Sequence, residues 1–126
     1  MIRDNVQVEL FVRSNHPGDA MCEKIVSSNA NMIIPWFLMA CVAYDRYDDP
    51  ILSDAYFDEL SDRMAEQWDT IEHFHKHLII MPDDRTQFKG SSTAIRAVEL
   101  PERLLGGTRD VIRTLEESRI NRKRGR

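Results

Sequence analysis

The chain has little of whatever would make an unusual kind of protein. Only 2 cysteines occur among its 126 residues, Cys22 and Cys41, too few for a disulfide-stapled scaffold. Cys41 lies inside an apolar run, where a reduced thiol packs as a small hydrophobe, and a reducing compartment is the expectation. Five glycines and 5 prolines are too few for a fibrous or low-complexity chain. The longest apolar run, Met32 to Tyr44 with Pro35 inside it, falls well short of the roughly 20 residues that a membrane-spanning helix requires. It reads as a buried helix, and no membrane partner is expected. The start of the sequence, Met1-Ile2-Arg3-Asp4-Asn5, has no basic segment leading into an apolar one, so a cytoplasmic location is expected. Neither a Gly-x-Ser-x-Gly elbow nor a His-Glu-x-x-His spacing occurs, and no catalytic residue is assigned.

What is present is 42% hydrophobic and 30% charged, apolar enough to bury a core in one small globular domain. The formal net charge of −4 conceals a segregation along the chain. Residues 119–126 hold 5 basic and no acidic side chains, which leaves 12 basic against 21 acidic, or −9, in the preceding body. The reading is a single domain over 1–118 followed by a flexible basic tail over 119–126. Arg119, Arg122, Lys123, Arg124 and Arg126 are candidate phosphate contacts, whose affinity for nucleic acid would fall with salt. No aromatic is interleaved among them for base stacking.

The pattern along the chain predicts a mainly α fold. Val6 to Val12 alternates enough for one short strand or arm, and Asn15-His16-Pro17-Gly18-Asp19 reads as a turn. Pro35 suits a first helical position, and Trp36 to Ala43 follow without a charge. Asp48-Asp49-Pro50 ends that helix; Ser53 then reads as an N-cap, with Asp54 in the first turn complementing the helix dipole. Phe57, Leu60, Met64, Trp68 and Ile71 recur at spacings of three and four. The prediction is a helical hairpin at 31–78, built from helices over 31–48 and 53–77. Met81 to Thr93 reads as a loop, and a further helix follows Pro101, broken at Gly106-Gly107 and resumed at Val111. A two-helix core is too small to cover Trp36, Phe37, Trp68 and Phe74 alone, so a protein partner or a homodimer is expected.

His73, His75 and His77 fall at the expected end of the second helix. There His73 and His77 would share a face and His75 would point elsewhere, so no metal site is predicted. The ordinary role of such histidines is at a helix C-terminus.

The segment from Tyr44-Asp45 through Asp49-Pro50 to Asp54-Ala55-Tyr56-Phe57-Asp58-Glu59-Leu60 resembles the small N-terminal Ia domain of bacterial NAD-dependent DNA ligases. That domain carries Tyr-His, Asp-x-Pro and Asp-Ala-x-Tyr-Asp-x-Leu at the same spacing on a helical hairpin. It grips the nicotinamide mononucleotide half of NAD, while a lysine on a separate domain takes the AMP. The resemblance implies a cofactor-binding role for Tyr44, Asp54, Phe57 and Asp58. Asp45 stands where the ligases have histidine, and Phe57 where they have tyrosine. No Lys-x-Asp-Gly adenylation motif occurs, so ligase activity is not expected. The chain looks most like the short ligase-like orphan proteins of tailed bacteriophages, which would place it in the host cytoplasm. The leading expectation is a non-catalytic bacteriophage accessory protein that uses the hairpin as a protein interaction module, with no cofactor required. The alternatives are a stand-alone module binding NAD or nicotinamide mononucleotide, and nucleic-acid binding through the basic tail.

Overall fold

A computed structural model describes residues 16–96 and 100–124, and it is mainly helical. The expected arm or strand at Val6 to Val12 lies outside the described residues. The first described helix, α1 (Pro17–Ser28), stands where the sequence suggested only a turn. Its signals are local: the His16 side chain accepts from the Gly18 amide, Pro17 occupies the first helical position and Asp19 sits in the first turn. Met21, Cys22, Ile25 and Val26 form the apolar stripe that faces the core.

The predicted hairpin is present as α2 (Ile33–Arg46) and α3 (Asp54–Glu66). Helix α2 begins two residues before Pro35, which is tolerated because amides of a first helical turn have no intrahelical acceptor to lose. Most of α2 is buried, from Ile33 through Ala43, and it is the central rod of the core. The chain leaves it through Asp48 at φ 47, a left-handed conformation that a short polar side chain tolerates, and the Asp49 amide reaches back to the Ala43 carbonyl at 3.0 Å. Ser53 caps α3 as expected, accepting from the Tyr56 amide at 3.2 Å.

Helix α3 stops at Glu66 and does not run on to 77. The backbone beyond it finds other partners: the Thr70 and Ile71 amides both donate to the Gln67 carbonyl, as does the Thr70 hydroxyl. The Lys76 ammonium donates to the Trp68 and Ile71 carbonyls at 2.7 and 2.8 Å. Trp68 and Ile71 therefore reach the core from a turn, not from a fourth helical row. The histidines accordingly sit on a turn and a short 3₁₀ segment, Lys76–Leu78, which removes the helix-terminus role expected for them.

The connection to the last helix is tied down by a single antiparallel bridge between Ile79 and Ile95. In it the Ile80 amide donates to the Ala94 carbonyl and the Arg96 amide to the Leu78 carbonyl. Helix α4 (Glu102–Arg124) then packs along α2. It runs unbroken through Gly106-Gly107, where a break was expected, because burial of Leu104, Thr108 and Leu115 outweighs a propensity cost of about 1 kcal/mol per glycine. Helical backbone also extends through Arg122, Lys123 and Arg124, into the stretch expected to be a flexible tail; Arg126 lies outside the described residues. Among the described residues no helix is long and apolar enough to cross a membrane.

A buried carboxylate joins α1 to the hairpin turn. Asp19, fully buried, accepts from the Ser53 amide at 2.8 Å and from the Ser53 hydroxyl at 2.6 Å. Gly18 makes this approach possible, since a Cβ there would lie 1.6 Å from the Ile51 carbonyl oxygen. One turn further along, Glu23 accepts from Arg63 at 2.6 Å and from the Tyr56 hydroxyl at 3.0 Å.

Asp19→Ala should cost about 1.5–3 kcal/mol in urea unfolding, the range for hydrogen bonds to a charged group. Ser53→Ala in that background should add less than it costs alone, because the two residues share one interaction. Burial works against ionisation of Glu23, but bonds from Ser27, Arg63 and Tyr56 outweigh it and hold its carboxyl below the usual range. Its contribution is thus complete above the unfolded carboxyl pKa and lost as pH falls through the lower folded one. Acid titration of stability should show a weaker decline in Glu23→Gln than in the parent.

Candidate functional site

The hairpin turn and the loop after α3 enclose a cavity of about 400 Å³, within the size range of small-molecule sites. Tyr44 from the end of α2 and Asp54, Phe57 and Asp58 from the first turns of α3 all line it. These are the four residues that the ligase-like spacing singled out, and the fold brings them to one place. The convergence has a simple origin: Asp54, Phe57 and Asp58 share a face at spacings of three and four, and the tight turn at 47–53 folds that face toward the end of α2.

The walls differ in character. Tyr44 is 62% exposed, so its ring is accessible at the cavity wall. Asp54 and Asp58 are exposed, and Phe57 is half-buried. The Phe57 ring stacks on Phe37 at 5.4 Å and 17°, and Phe37 in turn meets Phe88 at 5.8 Å. The phenylalanine at the tyrosine position of the resemblance is therefore anchored in the aromatic core. Ala40, Cys41 and Ile51 supply the apolar part of the lining. Burial, reinforced by the nearby Asp45 charge, pushes the Cys41 thiol up to about 12. It is a packing group and not a nucleophile at neutral pH.

The remaining wall is Gly90-Ser91-Ser92, from the stretch that reads as a loop in the sequence. The backbone there presses against α3: a Cβ on Gly90 would lie 2.1 Å from Ser61 Oγ and 3.2 Å from Phe57 Cε2. Ser61 itself is buried, donating to the Phe57 carbonyl at 2.8 Å. Phe88, two residues before the glycine, is the apolar signal that could have located this wall, because it inserts into the core beside Phe37.

Chemically the cavity offers ring faces and two carboxylates, and among the described residues its lining contains no Lys, Arg or His. Such a set suits a flat cationic group, which an aromatic face and a carboxylate both attract. It offers no side-chain cation to a phosphate. Asp45, in the histidine position of the resemblance, is exposed beside Tyr44 and does not line the cavity.

The other sequence candidates lie elsewhere. The His73 and His75 rings are 5.4 Å apart, and among the described residues no three His, Cys, Asp or Glu side chains gather to hold a metal ion. Arg119 is exposed on α4, distant in sequence from the cavity-lining residues. No family model, curated protein or solved structure matches this chain.

Gly90→Ala should cost about 1–3 kcal/mol through overpacking against Ser61, with the Gly90-Ser91-Ser92 wall displaced from α3. Thermal unfolding, together with the loss of amide protection at Ser91 and Ser92 in hydrogen exchange, would register both effects.

Proposed function

We propose that this chain is a non-catalytic accessory protein, of the ligase-like bacteriophage kind, whose hairpin cavity binds the nicotinamide mononucleotide end of NAD or the free mononucleotide. The observation that carries the reading is the convergence of Tyr44, Asp54, Phe57 and Asp58 on one cavity. The residues fit the nicotinamide ring in particular. A pyridinium cation meets two carboxylates, and its flat face meets the exposed Tyr44 ring. The lack of a Lys-x-Asp-Gly motif supports capture without adenylate transfer: the chain would hold the ligand or present it to an enzyme acting in trans.

A second reading rests on Tyr44. A tyrosine 62% exposed at a cavity rim is also the kind of anchor that a protein interface uses. In that reading the hairpin docks a protein partner or a second copy of the chain, and the carboxylates play no part.

Thermal-shift and calorimetric titrations with NAD, nicotinamide mononucleotide and AMP separate the two. At about 100 times the dissociation constant, binding adds about 2.7 kcal/mol and raises the melting temperature by several degrees. A shift is expected with both nicotinamide ligands and not with AMP. Asp54→Asn and Asp58→Asn should each weaken binding about fivefold, the effect of one charge at about 4 Å in water. Nicotinic acid mononucleotide, whose ring carries a carboxylate, should bind more weakly than the amide. No shift at millimolar ligand would overturn the nucleotide reading and leave the protein-partner reading standing.

A further inference from the structure

A second cleft, of about 520 Å³ and wide open, lies on the segment between α3 and α4, and its lining is opposite in charge to the first. Trp68, His73, Phe74, Lys76, His77 and Arg96 line it, with no carboxylate among the described lining residues. It lies on a body whose charge without residues 119–126 is −9, so a lining whose described charged members are all basic runs against composition.

Phe74 is the unusual member. It is 86% exposed, the most exposed of the large hydrophobics among the described residues, and a whole ring left in water forgoes the burial that normally stabilises a phenylalanine. It stands on a braced turn. Its carbonyl lies 3.1 Å from His77 Nδ1, its ring meets His75 edge-on at 5.5 Å, and the His75 amide donates to His73 Nδ1 at 3.1 Å. Trp68 is similarly fixed: the Lys76 ammonium lies 4.7 Å from its ring centre while donating to the Trp68 and Ile71 carbonyls. Lys76 thus contributes charge and rigidity, with the Glu72 carboxylate at 3.4 Å and Asp69 close enough to feel its charge.

Arg96 comes from the far side of the Ile79–Ile95 bridge. It is exposed, and its Nε donates to the His77 carbonyl at 2.7 Å. That bond orients the guanidinium at the rim and leaves its Nη groups for an anion. Arg103, at the start of α4, lies close enough to His75 to help hold that imidazole below its usual pKa, after burial and His77. Braced aromatics interleaved with fixed cations are the combination by which proteins hold single strands: bases stack on the rings and phosphates meet the basic groups.

We propose that this cleft binds single-stranded nucleic acid, with a base stacked on Phe74 and the adjoining phosphates held by Arg96 and the positive field of Lys76. It is independent of the proposed nicotinamide cavity, with which it shares no lining residue among those described. It also differs from binding through the C-terminal basic residues, which have no interleaved aromatic.

The test is fluorescence anisotropy of a fluorescein-labelled oligothymidylate of about ten nucleotides, titrated with the full chain at several salt concentrations. Affinity should fall linearly with salt on logarithmic axes and exceed that for a duplex of the same length. Phe74→Ala removes an exposed ring, so folding should be unchanged by circular dichroism, and binding should weaken about 5- to 150-fold. Arg96→Gln should weaken binding and lower the salt slope by about one. Replacing Arg122, Lys123 and Arg124 together by Gln should leave most of the affinity. Absence of binding at low salt would overturn the proposal. So would full affinity in Phe74→Ala, loss confined to the Arg122, Lys123, Arg124 variant, or equal affinity for inorganic polyphosphate, which has charge but no bases.

Discussion

The rest of the structure depends on the two hydrogen bonds that Ser53 gives to Asp19. A carboxylate with no exposure is costly unless its lone pairs are filled, and here one serine fills both oxygens, through its amide and its hydroxyl. The same hydroxyl oxygen accepts from the Tyr56 amide and so starts α3. One contact therefore sets where α3 begins, seals α1 against the hairpin turn and fixes the direction in which Asp54 and Asp58 leave the helix. Gly18 is its steric condition, because only a residue without Cβ admits the Ile51 carbonyl at that distance. The Glu23 bonds to Tyr56, one turn along both helices, and to Arg63, further along α3, repeat the attachment and hold α1 and α3 in register.

From that frame the chain makes two clefts of opposite character on one small body. The segment between α3 and α4 contributes to both, giving Gly90-Ser91-Ser92 to the acidic cavity and the stretch from His73 to His77, with Arg96, to the basic one. This division is possible because the Ile79–Ile95 bridge turns the segment back on itself while Phe88 pins its middle in the core. An acidic, aromatic site and a basic, aromatic site attract different ligands, and keeping them apart avoids the mutual neutralisation that one mixed cleft would suffer.

Much of the hairpin was legible from local chemistry. The uncharged run from Trp36 to Ala43 could only be an enclosed helix, Ser53 with Asp54 announced the next one, and Phe57, Leu60 and Met64 gave its buried side. Helix α1 carried equally local signals in His16, Pro17 and the stripe from Met21 to Val26, but the turn-forming residues at its start masked them. The extent of α3 was not legible, because Trp68 and Ile71 keep the helical spacing and are still covered by the core. Beyond Glu66 the backbone finds other partners, with Lys76 holding the Trp68 and Ile71 carbonyls and the Glu72 amide donating to Asn31 Oδ1 from 41 residues away, and hydrophobic periodicity registers neither bond. Gly106-Gly107 failed as a breaker for the converse reason, since packing against α2 supplies what propensity lacks.

By itself the sequence determined the helical class, the hairpin and the spacing that places Asp54, Phe57 and Asp58 on one helix face, because these follow from contacts within a few residues. Only the tertiary structure decided that Tyr44 and Gly90-Ser91-Ser92 close around that face, that Asp19 holds the turn from 34 residues away, and that His73 and His77 share a cleft with Arg96. Those outcomes depend on which distant backbone groups find partners when water is excluded, and that competition is settled only once the whole chain has packed.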